Sequence, residues 1–251
     1  MADAPGRYWR KPTLQHAVEY AAVRTLAEFC RLLPVDAGSN LMAALGRLIG
    51  PRLPAHKRIG EGLRHVWPDI EEAEVRRIAR GVWDNFARVP NDYWNLDRIR
   101  AQQDARIEIV GLEHLIALRD GDRPGILFAA HLGEWEIATL AARMHDLPLT
   151  EVYRPFNNPY IDAGVRDKQR TSGIELIMKG RDGARRLTQV LKGGGHTIML
   201  VDVRMNDGIT VPFLGHDAMT PAAPAALALK YGALLLPVRV ERTGPANFRV
   251  T

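Results

Sequence analysis

Gly125-Ile126-Leu127-Phe128-Ala129-Ala130-His131-Leu132-Gly133-Glu134-Trp135-Glu136 is the stretch from which the rest of the chain is read. Gly125 to Ala130 is a short apolar run, which predicts a buried strand. Glu134 to His145 reads as the helix after it. His131 then stands where strand passes into helix, and in an open α/β sheet ligands bind outside the carboxyl ends of strands. A histidine there, with a carboxylate close by, can take a proton from a hydroxyl and hold the resulting imidazolium. No serine or cysteine elbow accompanies it, so the hydroxyl is assigned to a substrate.

The same alternation continues on both sides of this stretch. Ile107 to Val110, Thr150 to Tyr153, Glu175 to Met178, Thr197 to Val201 and Ala233 to Val240 are further β-like runs. Helical segments near Glu113 to Arg119, Pro159 to Thr171, Gly183 to Lys192 and Ala222 to Tyr231 separate them. Strands alternating with helices predict a mostly parallel sheet covered by helices. Up to about Leu96 the chain reads as helical throughout: Thr13 to Leu33, Asn40 to Ile49, Ala55 to Val66, and Ile70 to Val89 with Pro90 as its stop. The division is an N-terminal helical, membrane-associating segment over 1–100 and an α/β catalytic domain over 101–251, in one continuous unit.

In the first helix Leu14, Val18, Ala21, Ala22, Leu26, Phe29, Leu32 and Leu33 fill an arc of roughly 140° on a helical wheel. Such an arc packs on a core, or lies on a membrane surface. Tyr8, Trp9, Arg10 and Lys11 just before it favour a contribution to the second. With 251 residues, 46% hydrophobic and 25% charged, the chain can bury a sizeable core. The net charge of +5 suits an anionic lipid surface or an acidic carrier protein. No helix-turn-helix, zinc finger or aromatic-interleaved basic stripe points to nucleic acid. The single cysteine, Cys30, excludes an internal disulfide, and Cys/His spacing offers no metal site. No run approaches the ~18 apolar residues of a spanning helix, and no signal peptide is visible.

Five positions carry candidate chemistry. His131 and Glu136 form the first; a spacing of five within one helix would set them ~140° apart, so the pair requires His131 in the turn before the helix. Glu134 is the rival carboxylate. Arg154, in Tyr153-Arg154-Pro155-Phe156-Asn157-Asn158-Pro159, offers a planar fork for phosphate or carboxylate, against the plain alternative of a solvated arginine beside a turn. Arg170 ends the next helix and serves a ligand or a surface salt bridge. Asp202 follows the strand Thr197 to Val201 at the same sheet edge. Gly193-Gly194-Gly195 reads as a helix stop. Val211-Pro212-Phe213-Leu214-Gly215 reads as a loop with an apolar finger, followed by a helix start with Thr220 as N-cap and Pro221 first.

These segments, in this order, resemble the lipid A biosynthesis (lauroyl/myristoyl) acyltransferase family, within the glycerolipid/lysophospholipid acyltransferase group. The family's His-x4-Asp/Glu motif falls on His131 and Glu136. Its Tyr-Arg-Pro block and following Asn-Pro fall on Tyr153, Arg154, Pro155, Asn158 and Pro159. Its helical arginine falls on Arg170, its aspartate after a buried strand on Asp202, and its Phe-x-Gly and small-Thr element on Phe213, Gly215, Ala218 and Thr220. The resemblance runs from about Leu14 to Thr251, where the chain ends inside an expected strand. It implies transfer of a fatty acyl group from acyl carrier protein or a coenzyme A thioester to a hydroxyl of a lipid A precursor. Alternative acceptors are a lysophospholipid, ornithine lipid or glycolipid, and a lipid-binding relative without catalysis is the rival of another class. On this reading His131 is the general base, Glu136 orients it, and Arg154, Arg170 and Asp202 bind substrate. No metal or cofactor is required. The place of action is the cytoplasmic face of the inner membrane, through peripheral or weak anchoring.

Overall fold

The computed structural model describes residues 11–171, 174–206 and 208–251. Tyr8, Trp9 and Arg10 lie outside the described residues. Thr13 caps the first helix, α1 (Leu14–Leu32): its hydroxyl accepts from the His16 N–H while the His16 ring accepts from the Thr13 N–H. There follow α2 (Val35–Ile49), a 3-10 turn (Gly50–Arg52), α3 (Ala55–Val66), α4 (Glu72–Trp94), α5 (Leu96–Ala101) and α6 (Gln103–Arg106).

Two boundaries differ from the sequence reading. α2 begins at Val35 rather than Asn40, because Gly38 and Ser39, which look like breakers, are buried against α4. A Cβ at Gly38 would stand 2.6 Å from Asn91 Oδ1. α4 runs through Pro90 to Trp94 instead of ending there. Pro90 is exposed, so the carbonyl its missing N–H leaves unpaired can meet water. The next residues, Asn91 and Asp92, are buried, and their packing carries the helix across.

After α6 come β1 (Ile107–Ile109), α7 (Leu112–Asp120), β2 (Gly125–Ala129), α8 (Glu136–Met144), β3 (Leu149–Tyr153), α9 (Pro159–Thr171), β4 (Glu175–Met178), α10 (Arg181–Lys192) and β5 (His196–Leu200). The chain ends through β6 (Ile209–Phe213), β7 (His216–Thr220), α11 (Ala223–Tyr231), β8 (Leu234–Pro237), β9 (Val240–Gly244) and β10 (Asn247–Val250). The main sheet has five strands in the order β4-β3-β5-β2-β8, all parallel. A second sheet of three, β1-β10-β9, is mixed, and β6 and β7 form a separate antiparallel pair. The expected single run Ala233 to Val240 is divided between the two larger sheets. Pro237 ends β8 because it cannot donate to a ladder. Thr220 lies in β7, and the residue before α11 is Ala222; the Thr220 hydroxyl is held by Ala218 O at 3.1 Å and caps no helix.

β2 explains its own unbroken apolarity. Leu127 faces a core of Ile137, Ala138, Ala141, Leu149, Ile198 and Phe248, while Ile126 faces a second core of Ile177, Leu187, Leu191 and Met199. A central parallel strand buried on both faces needs no polar side. The connection β2→β3 skips one position, and β5 later fills it, pairing Ala129 with Leu200 on one edge and Thr150 with Thr197 on the other. The loops after β2 and β5 therefore meet at the carboxyl edge of adjacent strands.

Candidate active site

His131 is held in the turn after β2, and Asp202 in the turn after its neighbour β5. The His131 backbone N–H donates to Asp202 Oδ2 at 2.9 Å, and His131 Nδ1 lies 2.7 Å from Asp202 Oδ1. One carboxylate thus grips both the backbone and the ring. An acceptor on Nδ1 fixes the tautomer with the proton there and leaves Nε2 with its lone pair free. The Trp135 ring packs edge-on at 4.9 Å and limits the imidazole's rotation. The turn is tight: Gly133 has φ +59°, and a Cβ there would stand 2.7 Å from the Val240 carbonyl. Asn85 on α4 donates to Gly133 O at 3.0 Å, tying the helical layer to the loop.

The carboxylate that meets His131 is Asp202, not Glu136. Glu136 is the first residue of α8 and accepts from Gln169 Nε2 on α9 at 2.7 Å. Itself half-buried, it belongs to an acidic group with the buried Glu134 and Glu151. Burial pushes Glu136 up, opposed by the Gln169 hydrogen bond. Burial raises Glu151 on β3 to about 8, with Glu136 adding repulsion. Glu134 is fully buried and lies well above the ordinary carboxylate range, through burial and then the charges of Asp92 and Glu136. Among the described residues neither Glu134 side-chain oxygen has a hydrogen-bond partner. Tyr93, raised by burial and by the same three glutamates, borders the group and donates to Val165 O at 3.3 Å.

The remaining candidates spread along the sheet edge. Arg154 follows β3, which is separated from β2 by β5. It is exposed and reaches Asn157 Oδ1 at 3.3 Å. Arg170 pairs with Asp167 at 2.9 Å on the solvent side of α9, with side chains 79% and 67% exposed. Asn158 is buried: its oxygen accepts from the Tyr160 N–H at 3.0 Å at the start of α9, and its amide donates to His16 O and Glu19 Oε2 at 2.9 and 3.1 Å. It joins α1 to the start of α9. Among the described residues no group of three or more His, Cys, Asp or Glu side chains is placed to hold a metal ion.

Beside His131 opens a cleft of about 880 Å³. Ala130 and Leu132, the two neighbours of His131, line it, with Leu127, Leu115, Ala138, Ala142 and Leu236 deeper in. A cavity of this size and lining takes an apolar ligand.

The sequence profile of the bacterial lipid A biosynthesis acyltransferases matches residues 8–251. The chain belongs to this family. It is similar to the phosphatidylinositol mannoside acyltransferase of Mycolicibacterium smegmatis, 26% identical over 228 residues covering 80% of this chain and 72% of the relative. It is also similar to the phosphatidylinositol mannoside acyltransferase of Mycobacterium tuberculosis strain H37Rv, 24% identical over 88% of this chain and 70% of the relative. The protein is an acyltransferase, acting with an acyl donor and a lipid acceptor.

In this acyltransferase the sequence reading missed Glu151, Gln169 and Trp135 as neighbours of the candidate site. A charged residue inside the strand Leu149–Tyr153 was a visible signal for Glu151. Gln169 adjoins Arg170, but one helical position turns a side chain by ~100°, so the inward residue was passed over for the outward one.

Proposed function

We propose that the protein transfers a fatty acyl group from a thioester donor to a hydroxyl of a membrane glycolipid at the cytoplasmic face of the inner membrane. The observation that carries this reading is the His131–Asp202 pair, with Nε2 free and an apolar cleft beginning at the adjacent residues. The acyl chain occupies the cleft and presents its thioester carbonyl near Nε2. Nε2 takes the acceptor's hydroxyl proton as the oxygen attacks that carbonyl. The C–O bond forms, the C–S bond breaks, and the imidazolium, held by Asp202, returns the proton to the thiolate. Base catalysis of this kind contributes ~10²–10⁴-fold. Cys30, buried in α1, is not placed for an acyl-enzyme route.

The family description and the named relatives suggest two acceptors, a lipid A precursor and a phosphatidylinositol mannoside. The second, by its name, carries mannose hydroxyls near a phosphate. The exposed Arg154 fork suits that phosphate, whereas Arg170 is engaged with Asp167. Glu136, with Gln169, serves as a support behind His131. The +5 net charge favours the acidic acyl carrier protein as donor. The outward stripe of α1, with Leu14 82% and Leu32 83% exposed, supports peripheral anchoring. No described helix is long and apolar enough to cross a membrane.

Purified protein supplied with acyl carrier protein or coenzyme A thioesters, and with each glycolipid or a lysophospholipid in mixed micelles, tests this by product mass. Acylated glycolipid is expected, lost in His131→Ala. Acylation of the lysophospholipid alone, or turnover unchanged in His131→Ala, would refute the proposal.

A further inference from the structure

The β6–β7 hairpin is unexplained by the chemistry above. It stands apart from both larger sheets. Its two-residue loop, between the paired Phe213 and His216, is Leu214-Gly215. Both loop residues have positive φ, +49° and +81°, the signature of a type I′ turn, which favours Asn-Gly or Asp-Gly. A leucine there is doubly unfavourable: it is strained in the left-handed region, and it is 53% exposed beside Phe213 at 64%. A bulky apolar side chain at a strained, solvent-facing tip calls for an apolar environment outside the protein.

We propose that this tip is a lipid-surface anchor that seats the His131–Asp202 edge on the bilayer. The inference rests on the acyl-transfer reading for its lipid acceptor, but on separate residues. Several features fit a bilayer. The chain between Asp202 and the hairpin carries exposed Arg204, and Lys179 Nζ lies 3.5 Å from Met205 Sδ at the hairpin base. An apolar tip with cations at its base is the arrangement of interfacial segments, with cations at headgroup level. Asp217, opposite Pro212, is the acidic exception on β7. The His216 ring lies tilted over His65, centroids 4.1 Å apart, so the tip end of the hairpin meets the end of α3, where Trp67 is 50% exposed. Indole rings favour the membrane interface. Five residues per strand give the finger a length of about 16 Å.

Two variants test the anchor by sedimentation with vesicles of phosphatidylcholine and phosphatidylglycerol. Leu214→Asn suits the turn, so it should melt no lower than the parent chain while binding vesicles more weakly. Phe213→Ser should also weaken binding, and the double variant by at least about tenfold, a lower bound for two apolar side chains withdrawn from lipid. In detergent micelles, where the acceptor comes to the enzyme, turnover should be unchanged. Vesicle binding equal to that of the parent in both variants would overturn the proposal. So would a parent that does not bind vesicles, or a parent dimer that Leu214→Asn dissociates with vesicle binding intact, which would make the tip a contact between copies. Sedimentation needs no substrate, so absence of turnover with every acceptor would sink the acyl-transfer reading alone.

Discussion

Asp202 holds His131 by two bonds, one to the backbone and one to the ring, and its charge sets the tautomer. Asp202→Asn keeps the shape but can present an N–H to Nδ1, which leaves the proton on Nε2. Steady-state kinetics should give kcat lower by ~10²–10⁴ with KM little changed. An equal loss in Glu136→Gln, with Asp202→Asn near normal, would restore Glu136 as the orienting group. Glu151 makes a second prediction at this scale. Unfolded, it releases its proton near 4.5; folded, it holds it to about 8. Within that window the folded chain binds more protons than the unfolded one, so stability falls as pH rises from about 4.5 to about 8. Glu151→Gln removes the ionisable group. Thermal melts should show its gain over the parent growing from pH 5.5 towards pH 8, and a gain independent of pH would contradict the assignment. His131 was legible in the sequence because a strand end is a local signal. Its partner was less so: Glu136 is five residues away and Asp202 seventy-one, and only strand order decides between them.

At the scale of elements, α2 and α4 meet through small residues. A Cβ at Gly46 would run into the Trp83 carbonyl and sit 2.5 Å from Ala87 Cβ. Backbone is one of the two obstacles, so the helices must part. Gly46→Ala, which would stabilise an isolated helix by ~1 kcal/mol, should instead lower stability by about 1–3 kcal/mol, measured by denaturant melts. A stabilised variant would mean that the seam gives way. The same seam shows where sequence reading fails. α3 and α9 are bounded as expected, because their ends are marked by local chemistry such as Asn158-Pro159. The start of α2 and the end of α4 are not, since Gly38, Ser39 and Pro90 are punctuation in an isolated segment and packing surfaces in a folded one. The hairpin was read as a loop because Leu214 occupies a position where the turn code looks for asparagine or glycine.

For the whole molecule, α1 is placed by its polar side. Arg31 pairs with Asp97 at 2.8 Å, Tyr20 stacks on Tyr160, and Asn158 reaches the His16 carbonyl. Only Ala27 and Cys30 of α1 are buried, so the apolar arc read from the sequence faces outward over most of its length. The sequence could define that arc but not its direction, since core and membrane ask for the same pattern. Phe29→Ser with Leu32→Ser should therefore leave the melting temperature within about 2 °C, these being surface positions, while vesicle sedimentation falls severalfold. A large loss of stability would place the arc against protein instead. The place of β5 has a further consequence, for synthesis. β2, β3 and β4 emerge before the strand that must lie between β2 and β3. Until His196–Leu200 arrives, the nascent sheet has a vacant central slot with two unpaired edges facing each other, each open to a neighbouring chain. Filling that slot is also what carries Asp202 to His131. Closing the gap and pairing the proposed base with its carboxylate are one event, and a chain caught before it lacks that pair and is prone to associate.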